Sequence, residues 1–158
     1  MIFQAYLHDE EAMQQLAGVV AVAMPATSPL VVYLEGDLGT GKTTFARALL
    51  RSMGETGPVR SPTYGLMSEY TTPNGRVLHL DLYRIRDPAE LTQLGLGDYV
   101  VGSRLWLVEW PERSGGKLPA SDMRLRLSVD EPGRNVEIDP TSQAGQQWVT
   151  AITADRTS

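Results

Sequence analysis

The chain has 158 residues, no cysteine and a formal net charge of −5 at pH 7, which excludes disulfides, thiolate metal sites and cysteine nucleophiles and argues against a broad basic footprint for nucleic acid. Hydrophobic residues make up 42% and charged residues 21%, the balance of one soluble globular domain large enough to bury a core unaided. The N-terminal M-I-F-Q-A-Y-L-H-D-E-E has no basic stretch leading into an apolar one, and no apolar run approaches a membrane span, so a cytoplasmic protein without signal peptide or membrane segment is expected.

Residues 2–7 suit a short strand. Asp9 is placed as a helix N-cap, with Glu10 and Glu11 in the first turn near the positive end of the dipole. Met13, Leu16, Ala17, Val20 and Met24 recur at helical spacing, and Pro25 ends the pattern. Leu30–Leu34 is a continuous apolar run of the kind found in buried parallel strands. A glycine-rich loop follows at once, then a helix from Thr43 to Met53 with Phe45, Leu49 and Met53 on one face and Gly54 at its C-terminal cap. Two further apolar runs, 77–81 and 105–109, each close on an acid, Asp81 and Glu109. Between them Asp87-Pro88 opens a helix with proline at its first position. Residues 123–129 and 136–138 alternate apolar and polar about Pro132-Gly133, which predicts an antiparallel hairpin. Ala144, Trp148 and Ile152 predict a closing helix. The order points to one domain over 1–158, a three-layer α/β fold with a mixed, partly parallel sheet and a C-terminal antiparallel hairpin.

Gly36-x-x-x-x-Gly41-Lys42-Thr43 matches the Walker A pattern of phosphate-binding loops. Gly36, Gly39 and Gly41 permit backbone angles and close approaches that a side chain would block. Backbone amides then turn inward toward phosphate oxygens, and the following helix adds its positive end. Lys42 supplies a mobile charge for the β and γ phosphates, and the Thr43 hydroxyl can ligate Mg²⁺. The cofactors expected are therefore ATP or GTP with Mg²⁺. Such a loop needs an acid at the end of a neighbouring strand, and both Glu109 and Asp81 are candidates: Glu109 for the metal, Asp81 for the metal, its water or the attacking water. Ser61-Pro62-Thr63-Tyr64 lies where nucleotide switches sense the γ-phosphate, though Ser-Pro also makes an ordinary turn. His79 reads as a packed histidine and Trp106 as core, while Trp110 could reach the site. Arg84, Arg86, Arg113 and Arg134 are candidates for neutralising charge on a transferring phosphoryl group.

Five segments together resemble one family: G-D-L-G-T-G-K-T-T-F at 36–45, S-P-T-Y at 61–64, H-L-D-L-Y-R at 79–84, L-G-L-G-D-Y at 94–99 and V-E-W-P-E at 108–112. They resemble the TsaE (YjeE) family, P-loop ATPases of bacterial tRNA threonylcarbamoyladenosine biosynthesis. The resemblance implies a Mg²⁺-dependent ATPase that binds a TsaB–TsaD complex and drives its turnover, without transferring the group itself and meeting tRNA only through that complex. It carries nucleotide binding onto Asp37, Leu38, Gly39, Thr40, Gly41, Lys42, Thr43, Thr44 and Arg134, with Asp9 or Glu10 as a looser match. The metal ligands fall on Thr43 and Glu109, and hydrolysis on Asp81 with Lys42 and a switch-like Ser61 and Thr63. Gly65 departs from the family, which commonly has a hydroxyl residue there. A small-molecule kinase would need a lid that the C-terminal half has little chain to build. A GTPase would need an N-K-x-D segment, which is absent. A nucleotide-gated binding module differs from the ATPase only in turnover.

Overall fold

Local chemistry sets the element boundaries. Asp9 accepts the Ala12 amide at 2.9 Å through Oδ1 and starts helix α1 (Glu10–Val22) after strand β1 (Phe3–Leu7). Strand β2 (Leu30–Glu35) leads through the glycine loop into α2 (Lys42–Ser52), which stops at Met53 before Gly54 at φ 102°. A hairpin follows, β3 (Met67–Thr72) and β4 (Gly75–Asp81), then two short helices, α3 (Ala89–Gln93) and α4 (Gly97–Val100). Strand β5 (Ser103–Glu109) runs into a 3₁₀ turn at Pro111–Ser114, and the hairpin β6 (Met123–Asp130) and β7 (Gly133–Pro140) precedes α5 (Gln143–Thr157). These come from a computed structural model that describes residues 1–62 and 66–157.

Among the described residues one sheet of seven strands runs in the order β1-β7-β6-β2-β5-β4-β3. The central strands are parallel, β6 with β2, β2 with β5 and β5 with β4, while both flanks are antiparallel. The mixed sheet and its C-terminal hairpin are those expected. The expected helix after Asp87 is two short ones: Gly95, at φ 64°, lies in the turn between them. Its start carries reciprocal caps, with Asp87 Oδ1 accepting the Ala89 amide and Glu90 Oε2 accepting the amides of Arg86 and Asp87. Those two amide bonds hold the Glu90 carboxyl below the usual range.

Helices α1, α2 and α5 cover one face and build the larger core with Leu30, Val32, Leu34, Leu107 and Leu125. On the other face Leu91 and Leu96 pack on Val31, Leu78, Leu80, Trp106 and Val108. The third layer stops there. Over β6 and β7 the outward side chains form ion pairs at the surface, Arg124 and Arg126 with the part-buried Glu35 of β2 and Arg126 with Glu137, so that part of the fold is two layers deep.

Trp148 ties α5 to α1. It is fully buried and its Nε1–H donates to the Val20 carbonyl at 2.9 Å, in the last turn of α1. Trp148→Phe removes that donor and leaves a small void. The expected cost is about 2–3 kcal/mol, read as a lower urea midpoint at unchanged slope.

Candidate functional site at the phosphate loop

The loop is shaped by two close approaches. A Cβ on Gly36 (φ 145°) would stand 2.4 Å from the Leu127 carbonyl oxygen, so β2 can leave the sheet beside β6 only as glycine. Gly41 (φ 105°) holds the left-handed position that opens α2. Thr40 donates its hydroxyl to the Asp37 carbonyl at 2.9 Å and closes the turn. The first intrahelical bond runs from the Phe45 amide to Gly41 at 2.8 Å. The amides of Lys42, Thr43 and Thr44 precede it, as donors at the positive end of the helix.

Lys42 is nearly buried. Its ammonium donates to the carbonyls of Gly36 and Asp37 and stands 4.0 Å from the centroid of the Trp110 ring. Burial pushes the Lys42 pKa below the usual lysine value, against the opposing carboxylates of Glu109, Asp81, Glu112 and Asp37. Trp110 is presented by a left-handed backbone, φ 58°, where β5 passes into the 3₁₀ turn. Its ring leans on Tyr83 at 5.1 Å, and the Arg113 guanidinium lies over both rings.

Sheet register brings the acids together. Parallel pairing sets Leu34 of β2 and Asp81 of β4 opposite Glu109. Glu109 is 3% exposed. It accepts the Thr43 hydroxyl, whose oxygen is 3.0 and 3.1 Å from its two carboxylate oxygens, and its Oε2 lies 2.7 Å from Nε2 of His79. Asp81 accepts the Ser61 hydroxyl at 2.5 Å and the Tyr83 amide at 3.0 Å.

Lys42, Thr43, Ser61, Asp81, Tyr83, Glu109 and Trp110 line a cleft of about 400 Å³ together with Leu38, Gly39, Thr40, Gly41, Thr44 and Arg134. Gly41, Thr44 and Arg134 also line an adjoining recess of about 220 Å³, walled by Leu7 to Glu10, Met13, Pro132 and Gly133. A larger groove, about 1090 Å³, runs over the two-layer part of the sheet beside Gly36–Leu38. The ion-paired Glu35, Arg126 and Glu137 are in its lining, and the lysine, Thr43, Asp81 and Glu109 are on the cleft side.

The structure therefore gathers Leu38 to Thr44, Asp81, Glu109 and Arg134 around one cleft and sets Asp9 in the adjoining recess. Arg134 reaches the loop itself, its Nη2 being 3.3 Å from the Gly39 carbonyl oxygen. Asp37 lines the outer groove and contributes its carbonyl to the loop. Thr63, with Tyr64 and Gly65, lies outside the described residues. Arg84 and Arg86 are exposed and are not among the cleft's lining residues. His79 is packed, as expected, and H-x-D spacing on a strand sets it on the same face as Asp81, within reach of Glu109. One wall residue was not expected from the sequence. Tyr83 closes the cleft wall beside Trp110.

Thr43 and Glu109 are an oxygen donor set suited to Mg²⁺, which binds through one or two carboxylates and completes its shell with phosphate and water oxygens. Among the described residues no three His, Cys, Asp or Glu side chains converge to hold a metal by themselves.

A parallel strand, a Walker A loop with these angles and a helix, with acids on the adjoining strands, define the P-loop class of α/β fold. The chain belongs to the TsaE family, threonylcarbamoyladenosine biosynthesis proteins, whose model matches residues 7–136. The tRNA threonylcarbamoyladenosine biosynthesis protein TsaE of Haemophilus influenzae is 35% identical over 150 residues, 93% of this chain and 95% of that one. The protein of the same name from Aquifex aeolicus is 35% identical over 143 residues, 87% and 96% of the two chains. The crystal structure of Bacillus subtilis YdiB superposes with a TM-score of 0.78 at 25% identity, covering 99% and 97% of the two chains. Among the described residues no helix is long and apolar enough to cross a membrane.

The Lys42–Trp110 contact yields a spectroscopic prediction. Trp106 and Trp148 are fully buried, so alkaline titration should alter Trp110 emission as Lys42 loses its proton. The midpoint should fall below lysine's ordinary 10.5. Lys42→Met and Trp110→Phe should each remove this transition.

Proposed function

We propose that the chain is the ATP-hydrolysing component of the tRNA N6-threonylcarbamoyladenosine machinery. In this reading one domain over 1–158 binds a TsaB–TsaD complex and drives its turnover cycle, and the threonylcarbamoyl group is transferred elsewhere. The observation that carries it is the convergence of the buried Lys42, the Thr43–Glu109 pair and the Ser61-held Asp81 at one edge of the sheet. The family name supports the pathway, and the cleft's donor set supports the chemistry.

The triphosphate lies along the loop, its oxygens taking the amides of the first turn of α2. Lys42 leaves the carbonyls of Gly36 and Asp37 for the β and γ phosphates, a better partner for a desolvated cation than two neutral oxygens. Thr43 and Glu109 would hold Mg²⁺, which would supply positive charge at the phosphate oxygens. Asp81 accepts a proton from, or orients, the water that attacks the γ-phosphate in line with the leaving oxygen. Arg134 and Asp9 place the nucleoside against the adjoining recess, which has room for a base. Thr63 and Ser61 report the nucleotide state to the partner surface, Ser61 through its bond to Asp81. The products are ADP and phosphate, and the protein works in the cytoplasm.

Three outcomes test this. Lys42→Ala should abolish productive ATP binding, and full tRNA modification by that variant in a reconstituted system would overturn the assignment. Asp81→Ala should keep ATP affinity within a few-fold and lower hydrolysis by about 100-fold or more; wild-type turnover would remove Asp81 from the mechanism. ATP hydrolysis should rise strongly when TsaB and TsaD are added together. Unchanged hydrolysis with partners of proven activity would leave a nucleotide-binding protein with another role.

A further inference from the structure

Glu109 is a buried carboxylate whose orientation matters to any ion held beside Thr43, and the structure gives it one side-chain partner that no loop residue supplies. His79 is completely buried on β4, and its Nε2 is 2.7 Å from Glu109 Oε2. Nδ1 has no hydrogen-bond partner among the described residues. A nitrogen facing a carboxylate carries the proton, so Nε2–H is the donor. The imidazole is thus a fixed, one-sided donor.

The packing explains why it holds. His79 and Val77 share the face of β4 that looks toward α2, by strand alternation, and Val77 belongs to the core there. The β4–β5 register puts His79 opposite Leu107, two residues before the Asp81–Glu109 pair and on the same face. From that level the ring reaches up to the lower oxygen of Glu109. Thr43 approaches the same carboxylate from α2. Two donors from two elements fix the plane of the carboxylate.

We infer that His79 is a positioning residue: by donating Nε2–H to Glu109 it sets the carboxylate for the divalent cation that accompanies a bound nucleotide. This rests on the nucleotide-binding reading above. Without the donor Glu109 loses its orientation, and the ion's contribution to nucleotide affinity falls. Outer-shell partners of this kind change metal affinity by about 10- to 100-fold. Binding in the absence of the ion does not use Glu109 and should not change.

Calorimetric titration with a non-hydrolysable ATP analogue, in Mg²⁺ and in EDTA, tests this on four proteins. The wild type should bind more tightly in Mg²⁺. His79→Gln, whose amide N–H₂ occupies the place of Nε2, should keep that gain. His79→Leu and His79→Asn, whose amide ends a bond short, should lose about tenfold or more of it, with EDTA affinity within twofold of wild type. His79→Asn retains a polar group and decides the matter if the leucine variant does not fold. A wild-type gain in His79→Asn, or equal losses in Mg²⁺ and EDTA, would overturn the inference. So would a glutamine variant as weak as the others. A wild type that does not bind the analogue would instead sink the nucleotide-binding reading, and one that binds it equally in Mg²⁺ and EDTA would overturn the inference.

Discussion

The parallel pairing of β2 with β5 is the constraint on which the site depends. It sets Leu34, the last apolar residue before the loop, level with Glu109. Because neighbouring strands lie about 4.8 Å apart, Thr43, one loop further on, returns within hydrogen-bonding distance of that carboxylate. A slip of one residue would turn Glu109 to the opposite face, among Trp106 and Val108. The same reasoning extends to β4, where the pairing of Asp81 with Glu109 gives the cleft its second acid. The glycine at 36 belongs to this constraint as well, since β2 must leave between two strands at once, and the Leu127 carbonyl of β6 leaves no space for a side chain.

Within that frame the loop meets its own polar demands. A cation as enclosed as Lys42 needs partners, and it finds two carbonyls of its own loop and the face of Trp110. Thr43 and Glu109 satisfy each other in the same way. Ser61 and Asp81 form a third pair. The donors and acceptors that phosphate chemistry would draw on are engaged with one another, so the groups are held near their working places and need only exchange partners.

How much of this was legible follows from where the information lies. The loop, the two acids and the hairpin could be read because each is encoded locally, in spacing or alternation. Strand β3 was not foreseen. Its sequence, M-S-E-Y-T-T, is that of a sheet edge with little buried surface, and such strands lack the apolar run that marks β2 and β5. The contribution of His79 was hidden for a different reason. A histidine within V-L-H-L-D has no visible partner until the register of β4 against β5 is known, and register is a property of two distant segments. Trp110 was readable as near the site, but its contact with Lys42 depends on a left-handed backbone that no local pattern in W-P-E announces.

The pairing of β1 with β7 has a consequence for how the protein is made. Phe3 meets Ile138 and Leu7 meets Arg134, so the first of these seven strands to be synthesised must wait for the last. Contacts this far apart along the chain form late and slow the search for the native state. Strands β2, β4 and β5 can pair earlier, but β6 and β7 must arrive before Leu127 can abut Gly36 and Arg134 can reach Gly39. During synthesis the phosphate loop is therefore unfinished until the C-terminal hairpin emerges, and a nascent chain stalled before residue 134 should carry the Walker sequence without a completed cleft.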